Sequence, residues 1–234
     1  MSLLLTLLLA LAAPLTGAAP FTGAAPLTSA AADAAPAASD PVRDSLATYY
    51  SRQDVAAVER LYRRHARTRE QRLLCRYRLY PMTRDRTYLD DIPSERGVRS
   101  ARELALISAL WAYRAADGPT WALPRNGRRS ERILNLALAR DADDPYALLV
   151  KGQSLLYKPR VFGGDVAAAR QTFEQLRTVL RRQRAPGIHP FEAEVWTWMA
   201  VRKLDRAAGD QMQRRLLQRR PPRLFRTFLT DPPS

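Results

Sequence analysis

The chain has 234 residues, two histidines and a single cysteine, Cys75, and carries a formal charge of +15 at neutral pH. One cysteine excludes an intramolecular disulfide and a cysteine-built zinc site, so an apolar core has to hold the fold. Only Lys151, Lys158 and Lys203 are lysines among the 38 basic residues. Arginine spread along the whole chain beside abundant Ala and Pro fits the codon bias of a GC-rich genome, which weakens the nucleic-acid reading that a basic balance invites.

No charged side chain precedes Asp33. The Leu3–Leu11 run suits the apolar core of a secretory signal, and Ala10-Leu11-Ala12 or Thr16-Gly17-Ala18 offers the small residues that cleavage requires, although no Lys or Arg stands ahead of the run. The run is well short of the roughly 20 residues that span a bilayer. From Ala13 to Ala30 a hexad with proline second is written three times; regular prolines prevent a continuous helix and nothing here builds a core. The expectation is a signal peptide over 1–18, a disordered Ala/Pro-rich linker over 19–39 and a helical domain over 40–230, in a periplasmic or secreted protein.

Asp40-Pro41 reads as an N-cap with proline at the first helical position, opening a short helix to about Tyr50. Ser51-Arg52-Gln53-Asp54 has the spacing of a capping box for a second, with Val55, Val58, Leu61 and Tyr62 on one face. Thr68 starts a third, which Pro81 is expected to stop, and 82–97 reads as a loop. Helical spacing resumes near Val98 through Leu104, Ile107, Leu110 and Trp111, and stops at Asp117-Gly118-Pro119. A polar connection from Thr120 to Arg129 precedes a helix over 130–140. Asp144-Pro145 opens another to Tyr157, and Asp165 caps the next through Phe173 and Leu180. The last two run from Phe191 to Leu204 and from Asp205 to Pro221. Nine helices result, and no stretch alternates at period two, so the fold class is all-α.

Between Tyr157 and Val166 the segment Lys158-Pro159-Arg160-Val161-Phe162-Gly163-Gly164-Asp165 interrupts two strong helical patterns. Gly152 stands where the two flanking helices would come closest, and Gly152→Ala is expected to be tolerated because Ala is small and favours helix.

Ala137-Leu138 through Asp144-Pro145 to Leu148 resembles the junction of two tetratricopeptide repeats. Leu148 with Gly152 matches the family's first helix, and Gly164-Asp165, Ala169 and Phe173 match its second. The connection from Lys158 to Gly164 is about five residues longer than the family's. In this form it resembles a subgroup of exported bacterial tetratricopeptide-like proteins that includes the components partnering TRAP-type transporters. The resemblance covers about residues 98–220 and implies helical hairpins stacked as a short α-solenoid. It also implies a concave groove lined by first helices, facing Arg102, Tyr113, Tyr146, Gln153 and Tyr157, with Lys158, Arg160 and Phe162 of the long loop covering its end.

Catalytic patterns are weak. His65 and His189 stand in separate segments without an acidic or cysteine partner motif. Asp141, Asp143 and Asp144 would need Gly at the sixth loop position and Glu at the twelfth to bind calcium as an EF-hand; Tyr146 and Gly152 stand there. Gly163-Gly164 is followed by no phosphate-loop Lys. The expected function is therefore a non-enzymatic scaffold without cofactor, binding a protein or peptide and a small apolar ligand in addition. Two rivals are a hydrolase or lyase using Asp90, Asp91 and Glu103, and an arginine-rich binder of anionic polymer or envelope lipid.

Overall fold

Short polar residues set most helix starts. Asp54, Ser100, Asp144, Asp165 and Asp205 each accept a hydrogen bond from a first-turn N–H, and Thr68 forms a reciprocal capping box with Gln71. Each such cap contributes about 1 kcal/mol. The computed structural model describes residues 41–183 and 185–232; the expected signal peptide and linker lie outside the described residues. The helices are α1 (Pro41–Arg52), α2 (Val55–Arg60), α3 (Arg69–Thr83), α4 (Ala101–Asp117) and α5 (Leu123–Arg140), then α6 (Pro145–Tyr157), α7 (Val166–Arg182), α8 (Pro190–Leu204), α9 (Arg206–Gln218) and α10 (Arg223–Thr230). A single π-helical stretch, Leu61–His65, follows α2. The described residues contain no strand, and the fold is all-α.

Several boundaries differ from the sequence reading. Ser51 is buried inside α1, and Asp54 alone caps α2 after a left-handed Gln53. Pro81 does not stop α3, which runs to Thr83 and closes with a left-handed Arg84. Ser100, three residues from its Glu103 N–H, starts α4 rather than Val98. The expected connection over 120–129 is mostly helix, because Leu123-Pro124 starts α5 early with proline in the first turn. Past Pro221-Pro222 a tenth helix forms, with Leu224, Phe225, Phe228 and Leu229 buried.

Three antiparallel hairpins pack in series: α4 with α5, α6 with α7 and α8 with α9. Within this series α3, α4, α6 and α8 run parallel. At their N-terminal ends Arg69 pairs with Glu103 at 3.7 Å, and Arg102 pairs with Glu70 at 3.5 Å and Asp144 at 3.4 Å. Nearer the C-terminal ends of α3 and α4 Tyr80 meets Tyr113 at 4.9 Å between ring centroids, and Tyr157 at the end of α6 meets Trp196 in the middle of α8 at 6.1 Å. The two ends of the folded chain then meet, since α10 packs on both α1 and α8. Since α1 also packs on α3, these two helices link the outer members of the series.

Gly152 marks the closest approach of α6 and α7. A Cβ there would stand 2.3 Å from Cε1 of Phe173 and under 3 Å from two further atoms of that ring. Phe173 is itself fully buried and stacks on Trp196 at 5.9 Å, so the ring has nowhere to withdraw. The expected tolerance of Gly152→Ala fails on this contact: helix propensity favours Ala, but the overlap with a trapped ring outweighs it. Gly209 plays the equivalent part in the next hairpin, where a Cβ would meet the α8 backbone at Arg202 Cα, 2.6 Å away. There the Trp198 indole N–H donates to the Gly209 carbonyl at 2.9 Å.

Candidate functional site

The four parallel helices each turn aromatic rings inward: Tyr77 and Tyr80 from α3, Tyr113 from α4, Tyr157 from α6 and, at mid-helix, Trp196 from α8. Together with Tyr50 of α1, Phe228 of α10, Gln153 of α6 and Arg84 at the end of α3 they line a cleft. An adjoining recess between α4, α5 and α6 shares Tyr77, Tyr113 and Gln153 and adds Ser130, Glu131, Ser154 and Lys158. The cavity volumes are about 40 Å³ and 20 Å³, room for a few waters and for one. Tyr77 and Tyr113 stack at 5.7 Å, and the Tyr77 hydroxyl donates to Gln153 Oε1 at 3.3 Å. That leaves the Gln153 amide NH₂ without an acceptor among the described residues.

Beneath the rings lies a buried ion pair. Arg78, only 1% exposed, holds Glu192 through two parallel bonds of 2.7 and 2.8 Å and donates a third, of 2.8 Å, to the Gly187 carbonyl. Its guanidinium carbon sits 4.2 Å from the Tyr50 ring centroid and 4.9 Å from that of Tyr77. Burial disfavours the cation, but Glu192 and the surrounding phenol oxygens offset this and keep Arg78 charged. Burial also pushes the Tyr50 hydroxyl up to about 12 and raises Tyr77, Tyr113, Tyr146 and Tyr157. The phenols that wall the cleft therefore stay neutral across the ordinary pH range, beside the guanidinium of Arg84, which lies 5.9 Å from the Tyr80 ring.

The residues singled out from sequence divide into three groups. Tyr113, Gln153, Tyr157 and Lys158 come together around the cleft and its adjoining recess. Tyr157 is half-buried, its hydroxyl 3.7 Å from the Met199 sulfur; Lys158 closes one side through a 3.0 Å pair with Glu131. Arg102 and Tyr146 instead join helices. Tyr146 is 0% exposed and donates to the Pro186 carbonyl at 3.0 Å, and the Arg102 guanidinium lies 5.7 Å from its ring. Arg160 and Phe162 sit on the short 3₁₀ turn after α6, exposed and half-buried respectively, and neither lines the cleft. Sequence reasoning missed Tyr50, Tyr77, Tyr80 and Phe228. Their helices lay outside the resemblance or beyond the last predicted helix, so nothing in their spacing connected them to one face.

The rival carboxylates do not converge on a reacting position. Asp90 and Asp91 are exposed, and it is their backbone carbonyls that matter, accepting from the Arg76 guanidinium together with the Tyr88 carbonyl. Glu103 faces Arg69. No cluster of His, Cys, Asp and Glu able to hold a metal occurs among the described residues, and no helix among them is long and apolar enough to cross a membrane. His189 caps α8 by accepting from the Phe191 N–H at 3.1 Å, and burial lowers its pKa, favouring the neutral form this requires.

No protein-family model, curated protein or solved structure matches this chain.

Proposed function

We propose that the protein is an exported, tetratricopeptide-like scaffold, a short α-solenoid that seats a segment of a peptide or protein partner in the aromatic cleft. The observation that carries this reading is Gln153. It stands where the two recesses meet, between rigid rings, with its carbonyl satisfied by Tyr77 and its amide NH₂ unspent. A primary amide held in this way donates to a carbonyl, and a peptide backbone supplies carbonyls at regular intervals. Aromatic walls add large contact area at small entropic cost, since each ring is fixed by two torsions. The cavities are small, so the cleft admits a side chain or a bend of chain rather than a bulky ligand. The role is binding: neutral phenols, the Gln153 amide, the Arg84 guanidinium, two serines and the Lys158–Glu131 pair suit the holding of a peptide segment.

Capture from an envelope extract, followed by mass spectrometry, tests the reading. Gln153→Ala and Tyr157→Ala are expected to reduce recovery of the captured protein about tenfold, the cost of one lost hydrogen bond or anchor ring in a desolvated site. Unchanged recovery with both variants would move the binding surface away from the cleft.

A further inference from the structure

Four large apolar side chains stand exposed among the described residues: Trp121 at 77%, Leu136 at 43%, Val161 at 80% and Leu204 at 48%. Three of them share one position in the architecture. Trp121 lies in the 3₁₀ turn joining α4 to α5, Val161 in the 3₁₀ turn joining α6 to α7, and Leu204 is the last residue of α8 before its turn into α9. Because α4, α6 and α8 run parallel, all three tips project from the same edge, spaced by roughly the 8–10 Å that separates packed helices. No turn of this length needs a large exposed apolar residue, and none of the three contributes to the core.

Cations predominate at the same edge. Arg125 beside Trp121, Arg160 beside Val161, and Lys203 and Arg206 around Leu204 are exposed, and none forms an ion pair with a described residue. Of the acids nearby, Asp117 pairs with Arg86 and Glu131 with Lys158. The exposed Asp165 and Asp205 carboxylates cap α7 and α9 through neutral N–H groups and keep their charge, so the four unpaired cations face two unpaired acids.

We infer that this edge docks on an anionic lipid bilayer, with Trp121, Val161 and Leu204 entering the headgroup–acyl boundary and the four cations meeting lipid phosphates. Separated apolar knobs on separate protrusions suit a fluid surface that closes around each one. A protein partner would instead favour one contiguous apolar centre. An indole at a protruding tip fits the interfacial zone, where the ring is buried and its N–H stays wet. Each basic residue near an anionic surface adds attraction that salt screens. The arginine cluster formed by Arg214, Arg215, Arg219, Arg220, Arg223 and Arg226 belongs to the opposite edge. Arg219 reaches back there to Glu194 near the start of α8, and no exposed large apolar side chain accompanies the cluster. The inference does not depend on what occupies the cleft.

Sedimentation of the full chain with vesicles tests it. Phosphatidylcholine vesicles carrying phosphatidylglycerol as roughly a third of the lipid are expected to bind at least about tenfold more tightly than phosphatidylcholine alone. The triple variant Trp121→Ser, Val161→Ser, Leu204→Ser should lose about tenfold or more of that binding while keeping the parent's melt, because the three side chains are exposed. Acyl chains labelled with bromine should quench a component of tryptophan emission that Trp121→Phe removes. Equal binding of parent and triple variant would overturn the inference, pointing to the opposite arginine edge if salt abolishes the binding and to the leucine-rich N-terminal segment if it does not. A concentration-dependent dimer in light scattering that the triple variant abolishes would overturn it too, in favour of a second copy on this edge.

Discussion

The inner face of the helix series and the tips of its hairpins use the same kinds of residue to opposite ends. Inside, Tyr77 and Trp196 are locked by rings on two or more helices, Tyr113 by two rings of α3, and hydrogen bonds hold the Tyr77 and Tyr146 hydroxyls. At the tips, Trp121, Val161 and Leu204 stand exposed. Burial decides the role of a ring: where helices close around it, it contributes stability, and where the chain merely turns, it remains available for contact. Substitutions should therefore separate the two regions, large stability losses inside and almost none outside.

The largest effect belongs to the buried ion pair. Glu192→Gln leaves the Arg78 cation stranded among aromatic rings and is expected to cost about 3–5 kcal/mol in urea titration. Replacing both partners with Met should recover most of that loss, since the penalty arises from an unpaired charge more than from the missing attraction. If the single variant proves nearly neutral, water reaches Arg78 and the inner face is not sealed.

Gly152→Ala comes next, at about 1–3 kcal/mol from the overlap with Phe173, and Gly152→Leu exceeds it. Thermal melts order the three proteins. A companion Phe173→Leu should relieve part of the Ala penalty, whereas an unaltered melt for Gly152→Ala would show that α6 and α7 separate freely.

Between the two regions stands Glu95, in the segment between α3 and α4, paired with Arg132 at 2.6 Å and Arg129 at 3.0 Å. Its own backbone N–H and these two guanidinium groups outweigh burial and lower its pKa from the ordinary 4.5 to about 2. A depressed folded-state value means that the stabilisation is present in full above the unfolded value of 4.5 and disappears as pH falls through about 2. Arg132 is well exposed, so solvent screening reduces the effect to about 1 kcal/mol. Glu95→Gln should flatten the stability curve across that window, and a curve that keeps its slope would assign acid sensitivity to other carboxylates.

Phe162 sharpens the boundary. It is half-buried on the α6–α7 turn, so Phe162→Ala should cost about 1 kcal/mol, well below the 3–5 of a fully buried ring. Smallest of all, the triple serine variant at the tips should shift stability by no more than about 0.5 kcal/mol. A larger loss would mean that the tips pack on something within the protein itself.

Much of the local structure was legible from single residues. Thr68, Asp144, Asp165 and Asp205 marked helix starts because a short side-chain acceptor one turn from unpaired N–H groups acts through local geometry alone. The all-α class followed from apolar spacing, and Gly152 was recognisable as a close contact. What could not be read was which atom it meets, since Phe173 lies 21 positions away and Trp196 behind it belongs to the next hairpin.

Other features came only from tertiary packing. Pro81 sits within α3, because helix-breaking tendency at one residue yields to the apolar face that the helix buries. The Arg78–Glu192 pair joins positions 114 apart, and α10 returns to α1 across nearly the whole described chain. These contacts bring rings from separate hairpins together around one aromatic cleft. Local propensity acts over a few residues and is written in the sequence order; the partners of Tyr77, Arg78 and Gln153 are set by how helices stack, which no short spacing records.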